Sequence, residues 1–274
     1  MPLSRRTARA GPDGPYEGVP GHLQSILAKW YESAFDENPP LGYYPDAPQH
    51  YMALRMRLEV GHRSNGRQIK DQLLARAFAE PAFFLDLIDA TLDQTRDPGL
   101  SSGLDEILGA GASVWCVNRE GAGLERRVTD EMASMLDSAV FVPDPISDEL
   151  KLAWAHAYGL HGSPSHAWNH AVVALEHLFI DLVVPNKPRS NLGTALGELK
   201  ANSGNKWRSI FPGRELNNSV TPVVGALEAV WPNSNRHGGG SGRPPTAAEA
   251  RSVVAIAVAL VQAHRESPVV YKVP

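Results

Sequence analysis

The longest amphipathic segment of the chain runs from Pro164 to Pro185 and reads PSHAWNHAVVALEHLFIDLVVP. Proline suits the first turn of a helix but not its interior, so Pro164 and Pro185 mark the two ends of one long helix. At 100° per residue, its large apolar side chains fall within an arc of about 140°, which predicts one face packed against other helices. The side chains on this face are Trp168, Ala171, Val172, Leu175, Leu178, Phe179, Leu182 and Val183.

The sequence after this segment predicts more helices. The final helix begins with the capping-box pattern Thr246-Ala-Ala-Glu249, in which each end residue hydrogen-bonds the backbone of the other. It continues through Val253–Val261, which is apolar on every side and therefore predicts a helix surrounded by others. Residues 143–274 are thus expected to form a C-terminal helical bundle, with further helices at 148–158, 192–202 and 216–230.

The N-terminal half is predicted to be a separate helical domain with one short β-hairpin. Ser113–Val117 is rich in β-formers, Leu124–Val128 alternates apolar with charged residues, and Asn118–Gly123 between them is a turn-forming cluster. We therefore expect a hairpin near residues 113–128, packed on helices because two strands alone are marginally stable. Helical spacing of apolar residues recurs at 22–35, 49–60, 66–78 and 81–92.

Changes in composition set the domain limits. The first 19 residues carry arginines among glycine and proline with almost nothing to bury, which predicts a flexible basic tail. Prolines interrupt the chain at Phe141–Pro145, and the charge balance changes there: residues 1–142 carry 14 Lys and Arg against 20 Asp and Glu, whereas residues 143–274 carry 12 against 10. We expect a tail at 1–19, an N-terminal helical domain at 20–142 and the C-terminal bundle at 143–274.

The composition excludes several classes of protein. The 274 residues carry a formal net charge of −4, which argues against a protein that binds polyanions mainly through excess positive charge. The single cysteine, Cys116, excludes a disulfide framework and suits a reducing cytoplasm. The longest apolar run is nine residues, far short of the roughly 20 that span a membrane. Motifs for dinucleotides, nucleotides and zinc proteases are absent, so we expect a cytoplasmic protein with no cofactor and no membrane partner.

The order of motifs in the C-terminal half resembles a known family. A helix carrying Glu176 is followed by Val184-Pro185, by Asn191-Leu-Gly193 at the start of the next helix, and by the loop Asn235-Arg-His-Gly-Gly-Gly240 before the Ala-rich closing helix. This order, over roughly residues 147–265, is similar to the HEPN-like bundle at the C-terminus of abortive-infection proteins, which act in defence against phage. The resemblance implies a homodimer that binds RNA, and many members of the family are metal-independent endoribonucleases.

Within this resemblance, three residues are candidates for catalysis. The family's ribonucleases carry an arginine a few residues ahead of a histidine, whereas here Arg236 stands directly before His237. The resemblance implies that His237 is the general acid and base, that Arg236 is the cation over the phosphate, and that Glu176 supports them. Imidazole titrates near neutral pH and guanidinium fits phosphate, so these groups suit cleavage of RNA by its own 2′-hydroxyl. The alternative is that the ribonuclease motif has been lost.

A second candidate set is a stripe of histidines on the helix at 164–185. His166, His170 and His177 fall within about 40° of one another, roughly opposite the apolar face. Val173 and Ile180 flank them, and such a mixed surface favours an interface with a partner or a second copy over open solvent. The alternative is zinc, which histidines four residues apart on a helix can share, but neither a cysteine nor a clearly spaced carboxylate completes a set. We therefore predict no metal site.

A third candidate set lies in the N-terminal half. Arg55, Arg57, Arg63 and Arg67 surround the turn at Gly61–Gly66, where two helices would present them to nucleic-acid phosphates. The alternative is a solvated face paired with Glu59 and Asp71. Taken together, the sequence predicts a defence-type protein whose C-terminal bundle dimerises and binds or cleaves RNA. The alternative function is a non-enzymatic protein–protein interaction module.

Overall fold

The computed structural model describes residues 15–35, 47–213, 215–231 and 243–273. Within these ranges the chain forms eleven α-helices and two antiparallel two-stranded sheets. The predicted fold class, mainly α with a short hairpin, is therefore confirmed. The chain divides into two compact units, Met1–Arg127 and Val128–Pro274.

The first unit contains, in its described part, five helices and the predicted hairpin. Its elements are α1 (Gly21–Ser33), α2 (Ala47–Arg55), α3 (Gly66–Ala79), α4 (Pro81–Thr95), α5 (Pro98–Ala110), β1 (Trp115–Val117) and β2 (Leu124–Arg126). The strands pair antiparallel with Cys116 opposite Glu125, and β1 packs on α5. The apolar faces of the helices form a core in which Leu27 and Phe84 are fully buried.

The segment before α1 corrects the predicted tail of residues 1–19. The indole N–H of Trp115 donates a hydrogen bond to the carbonyl oxygen of Glu17 at 2.8 Å. The Arg126 guanidinium donates two more, of 2.8 and 2.9 Å, to the Glu17 carboxylate. Because this end of the predicted tail finds partners on the hairpin, it is ordered structure, whereas residues 1–14 lie outside the described ranges.

The second unit contains, in its described part, six helices and a sheet that the sequence did not predict. Its elements are α6 (Asp130–Ala139), α7 (Pro145–Tyr158), α8 (Pro164–Val183), α9 (Leu192–Lys200), a 3-10 helix (Ala201–Gly204), β3 (Trp207–Ser209), α10 (Thr221–Val230), α11 (Ala247–Glu266) and β4 (Val270–Lys272). Strands β3 and β4 pair antiparallel with Arg208 opposite Tyr271. Strands of three residues are too short to show an alternating pattern, so the sequence predicts no strand in this unit.

The boundary between the units lies after Arg127, earlier than the predicted boundary after residue 142. Helix α6 packs on α11, and its Leu136 and Ala139 belong to the core of the second unit. The prolines at 143 and 145 mark only the start of α7. Burial of the apolar side chains of α6 therefore sets the boundary, and proline content does not.

Helix α11 contributes one buried face to the core of the second unit, whereas Ala255, Ile256 and Ala259 on its other side are only partly buried, so it is not enclosed on every side as its apolar sequence predicts. It packs on α6, α7 and α8, and Val254, Ala257 and Val261 are fully buried. Among the described helices, α11 alone is long and apolar enough to cross a membrane by length and composition. The central helix of a globular core passes the same test, so this property of α11 is weak evidence for a membrane span.

The capping box of α11 leads to a stability prediction. The Thr246 hydroxyl accepts a hydrogen bond from the Glu249 N–H at 3.2 Å, and the Glu249 carboxylate accepts one from the Thr246 N–H at 2.8 Å. We expect Thr246→Ala to lower the free energy of unfolding by about 1 kcal/mol because one helix-end N–H loses its partner. Chemical denaturation measures this loss, with Thr246→Ser as the control that keeps the hydroxyl. An equal loss in both variants would contradict the capping role.

Candidate functional site

Helices α7 and α8 lie side by side because a very short turn joins them. The Gly162 N–H donates a hydrogen bond to the carbonyl oxygen of Gly159 at 3.0 Å. A Cβ atom at Gly162 would lie 2.2 Å from the carbonyl oxygen of His156, so the turn requires glycine at that position. The tight turn brings the first turns of α8 beside the last turns of α7.

Three histidines and a glutamate meet where these two helices face each other. His156 on α7 packs edge-on to His166 with ring centroids 5.1 Å apart, and it stacks on His170 with centroids 5.5 Å apart. The Nδ1 atom of His170 lies 2.7 Å from Oε2 of Glu149, which precedes His156 by about two turns of α7. We call these four residues, Glu149, His156, His166 and His170, the histidine cluster.

Burial and neighbouring charge act on the His156 ring of the cluster. The pKa of His156 is lowered from its ordinary value of 6.5, first because burial disfavours the charged ring and then because charge on His166 and His170 repels a further proton. The Glu149 carboxylate lies within hydrogen-bond distance of Nδ1 of His170 and, as an acceptor, favours a proton on that nitrogen. The side chains of His170 and Glu149 are each 24% exposed, so solvent and ligands reach the cluster.

This arrangement is suited to general acid–base chemistry. A ring that stays neutral near pH 7 can accept a proton, while a second ring held by a carboxylate can donate one. Proton transfer by a positioned imidazole typically accelerates a reaction by about 10²–10⁴-fold. Among the residues that the structure describes, no three His, Cys, Asp or Glu side chains are placed to hold one metal ion.

An exposed leucine borders the cluster. Leu152 lies three residues after Glu149 and four before His156, and these spacings place the three side chains on one face of α7. Leu152 is 46% exposed. One exposed apolar side chain therefore lies on the same face of α7 as two members of the cluster.

The histidine stripe predicted from the sequence is divided in the structure. His166 and His170 belong to the cluster, but His177 lies about 10 Å further along α8 and is exposed. His156 and Glu149 are members that the stripe did not include, because they lie on the neighbouring helix. The signal for them was their seven-residue spacing, which places both on one face of α7.

The predicted catalytic residue Glu176 lies about 120° around α8 from His170, next to α9. Its Oε1 atom accepts a hydrogen bond from the Leu192 N–H at 3.2 Å, so the carboxylate lies at the N-terminus of α9, where negative charge is favoured. Arg236 and His237 lie outside the described residues. Of the predicted catalytic trio, only Glu176 therefore has a described position, and the part it plays there is to bind the end of a helix.

The predicted arginine set lies where α2 is joined to α3. Arg55 forms an ion pair with Asp93 of α4 at 2.6 Å, a partner other than the carboxylates that the sequence suggested. Arg57, Arg63 and Arg67 are exposed, and none of them has an ion pair to another described residue. Three of the four cations thus remain available to a ligand.

Comparison of the chain with protein-family models, curated proteins and solved structures gives no match. The functional assignment of this chain therefore rests on the chemistry of its own residues.

Proposed function

We propose that the protein is a defence-type RNA-binding protein whose second unit, a HEPN-like bundle, cleaves RNA without a metal at the histidine cluster. The observation that carries the proposal is the contact of the His156 ring, whose pKa is lowered, with the rings of His166 and His170, the latter held by a carboxylate. RNA suits these groups because it contains its own nucleophile, the 2′-hydroxyl. It needs from the protein a proton acceptor, a proton donor and stabilisation of negative charge.

In the proposed reaction His156 is the proton acceptor. It removes the proton of a 2′-hydroxyl, and the resulting oxygen forms a bond to the adjacent phosphorus. The bond from phosphorus to the 5′-oxygen of the next nucleotide breaks, and that oxygen takes a proton from the protonated ring of His170. The products are a 2′,3′-cyclic phosphate and a 5′-hydroxyl, and the cluster as a whole keeps its proton count.

The family resemblance adds a dimer, Arg236 and His237 to this proposal. By that resemblance Arg236 would be a cation on an RNA phosphate and His237 an acid–base group, and both lie outside the described residues. The N-terminal arginines Arg57, Arg63 and Arg67 would contact phosphates elsewhere on the RNA. Sedimentation equilibrium of the purified chain tests the dimer directly.

Incubation of the purified chain with single-stranded RNA in EDTA tests the proposed activity. We expect cleavage of RNA, no cleavage of DNA of the same sequence, and products that end in a 2′,3′-cyclic phosphate. His170→Ala should lower the rate by at least about 100-fold. The matched control is His177→Ala, which changes an exposed histidine of the same helix outside the cluster and should retain full activity.

Two results of this experiment would overturn the assignment. One is a requirement for added metal, since the proposed groups need none. The other is full activity of His170→Ala. If His237→Ala is inactive in the same assay while His170→Ala is active, the active site lies in the segment 232–242 instead of the cluster.

A second candidate function is a non-enzymatic interaction module, and two exposed apolar side chains favour it. Phe141 is 85% exposed and Leu152 is 46% exposed, so each offers an apolar contact to a protein partner. Under this alternative the chain does not cleave RNA, and Leu152→Glu abolishes its self-association. Cleavage of RNA by a Leu152→Glu variant that no longer self-associates would reject it.

A further inference from the structure

A groove in the second unit has no role in the proton transfers proposed above. It opens between the C-terminal end of α8, the turn that follows, α9 and the β3–β4 sheet, and its volume is about 770 Å³. This volume lies in the range typical of sites for small ligands and single nucleotides. The polar and aromatic residues that line it are Asn186, Lys187, Glu198, Trp207, Tyr271 and Lys272.

The groove is positively charged although the whole chain is acidic. Lys187 and Lys272 are exposed, and neither has an ion pair to another described residue. The carboxylate of Glu198, the one acidic group among the described lining residues, is ion-paired with Lys206 at 3.8 Å. Two uncompensated ammonium groups on one concave surface attract an anion.

The groove also offers groups that contact nucleobases. Tyr271 is 43% exposed and presents a ring on which a base can stack. Asn186 is exposed and carries both a donor and an acceptor. Trp207 is only 5% exposed, and its indole N–H has no hydrogen-bond partner among the described residues, which is rare for a buried donor.

We infer that this groove binds single-stranded RNA, with Lys187 and Lys272 on phosphates and Tyr271 stacked on a base. Lysines beside an exposed aromatic ring are the combination that holds single strands, whereas an acidic peptide would leave the ring without a flat partner. The inference rests on the proposed function, which makes RNA the substrate. Val183, which lines the groove, lies about 20 Å along the axis of α8 from His170 and about 140° around it, so the groove is a binding surface separate from the cluster.

Fluorescence anisotropy with labelled 2′-O-methyl RNA tests the inference, because this RNA lacks the nucleophile and stays intact. We expect Lys187→Glu, Lys272→Glu and Tyr271→Ala each to weaken binding about tenfold. With cleavable RNA the same variants should raise KM and leave kcat within about twofold, since none of them belongs to the cluster. The controls are Lys29→Glu and Phe141→Ala, which change exposed residues of matching type elsewhere and should bind as the unmodified chain does.

The possible outcomes separate this inference from the proposed function. Unchanged affinity in all three groove variants would overturn the inference even if the chain cleaves RNA. Displacement of the RNA by polyglutamate as effectively as by unlabelled RNA would also overturn it, because the groove would then bind any polyanion. Groove-dependent binding by a chain that cleaves no RNA would support the inference and remove the proposed activity.

Discussion

Replacement of His156 by alanine is expected to lower kcat for RNA cleavage by at least about 100-fold, because the reaction loses its proton acceptor. His156 contacts both other imidazoles of the cluster, and its lowered pKa keeps the ring neutral near pH 7. Single-turnover kinetics at saturating RNA measure the effect. Circular dichroism of the variant must match that of the unmodified chain, so that loss of activity is not loss of fold. Full activity in His156→Ala would remove this ring from the mechanism.

The pH dependence of cleavage identifies the same ring. Because the pKa of His156 is lowered, the acidic limb of kcat/KM should lie below pH 6.5. His166→Ala removes one source of repulsion and should shift this limb upwards, while burial, the larger cause of the lowered pKa, remains. A limb that lies above pH 6.5 in the unmodified chain would contradict the assignment of His156 as the base.

Replacement of Arg265 by alanine is expected to lower the free energy of unfolding by about 3 kcal/mol, the largest stability effect we anticipate. The Arg265 guanidinium donates hydrogen bonds of 2.7 and 2.9 Å to the Asp144 carboxylate and one of 2.9 Å to the carbonyl oxygen of Ala139. The Arg265 and Asp144 side chains are 15% and 24% exposed, so the substitution leaves a largely buried charge unpaired. Urea denaturation at pH 7 measures the loss. The control is Arg243→Ala at the other end of α11, where the side chain is exposed and its removal should change the free energy of unfolding little.

The effect of Arg265→Ala should depend on pH in one direction. Burial alone would raise the pKa of Asp144, but hydrogen bonds from Arg265 and Ser147 lower it below the ordinary 3.8. A group whose folded pKa is lower than its unfolded pKa stabilises the fold above the unfolded value and loses that contribution as the pH falls through the folded value. The difference between the two chains should therefore be constant near neutral pH and shrink below about pH 4. An equal difference at pH 7 and pH 3 would contradict the ion pair as its source.

Local signals made the long helices predictable. Pro164 opens α8 because its ring fixes a helical φ and it has no N–H to leave unpaired. Thr246 and Glu249 cap α11 through backbone groups that lie within one turn of them. The hairpin was equally predictable from the sequence, since a short turn joins its two strands. The β3–β4 sheet was not, because its short strands are far apart in sequence and their pairing depends on how the bundle folds.

Half of the candidate site was visible in the sequence. His166 and His170 share one helix face, which the spacing alone establishes. His156 and Glu149 could be assigned to the site only once α7 was known to pack beside α8. That packing follows from the tight turn at Gly162, where a side chain would clash with the carbonyl oxygen of His156. The sequence alone does not show where that oxygen lies. Prediction of the cluster thus required the inward faces of both helices and the geometry of the turn between them.

The most direct test of the central claim uses a DNA oligonucleotide that contains one ribonucleotide, incubated with the purified chain in EDTA. We expect a single cut on the 3′ side of that ribonucleotide, a 2′,3′-cyclic phosphate on the product, and loss of the cut in His156→Ala but not in His177→Ala. Cuts at deoxyribonucleotides, an intact oligonucleotide, or an undiminished cut in His156→Ala would contradict the claim.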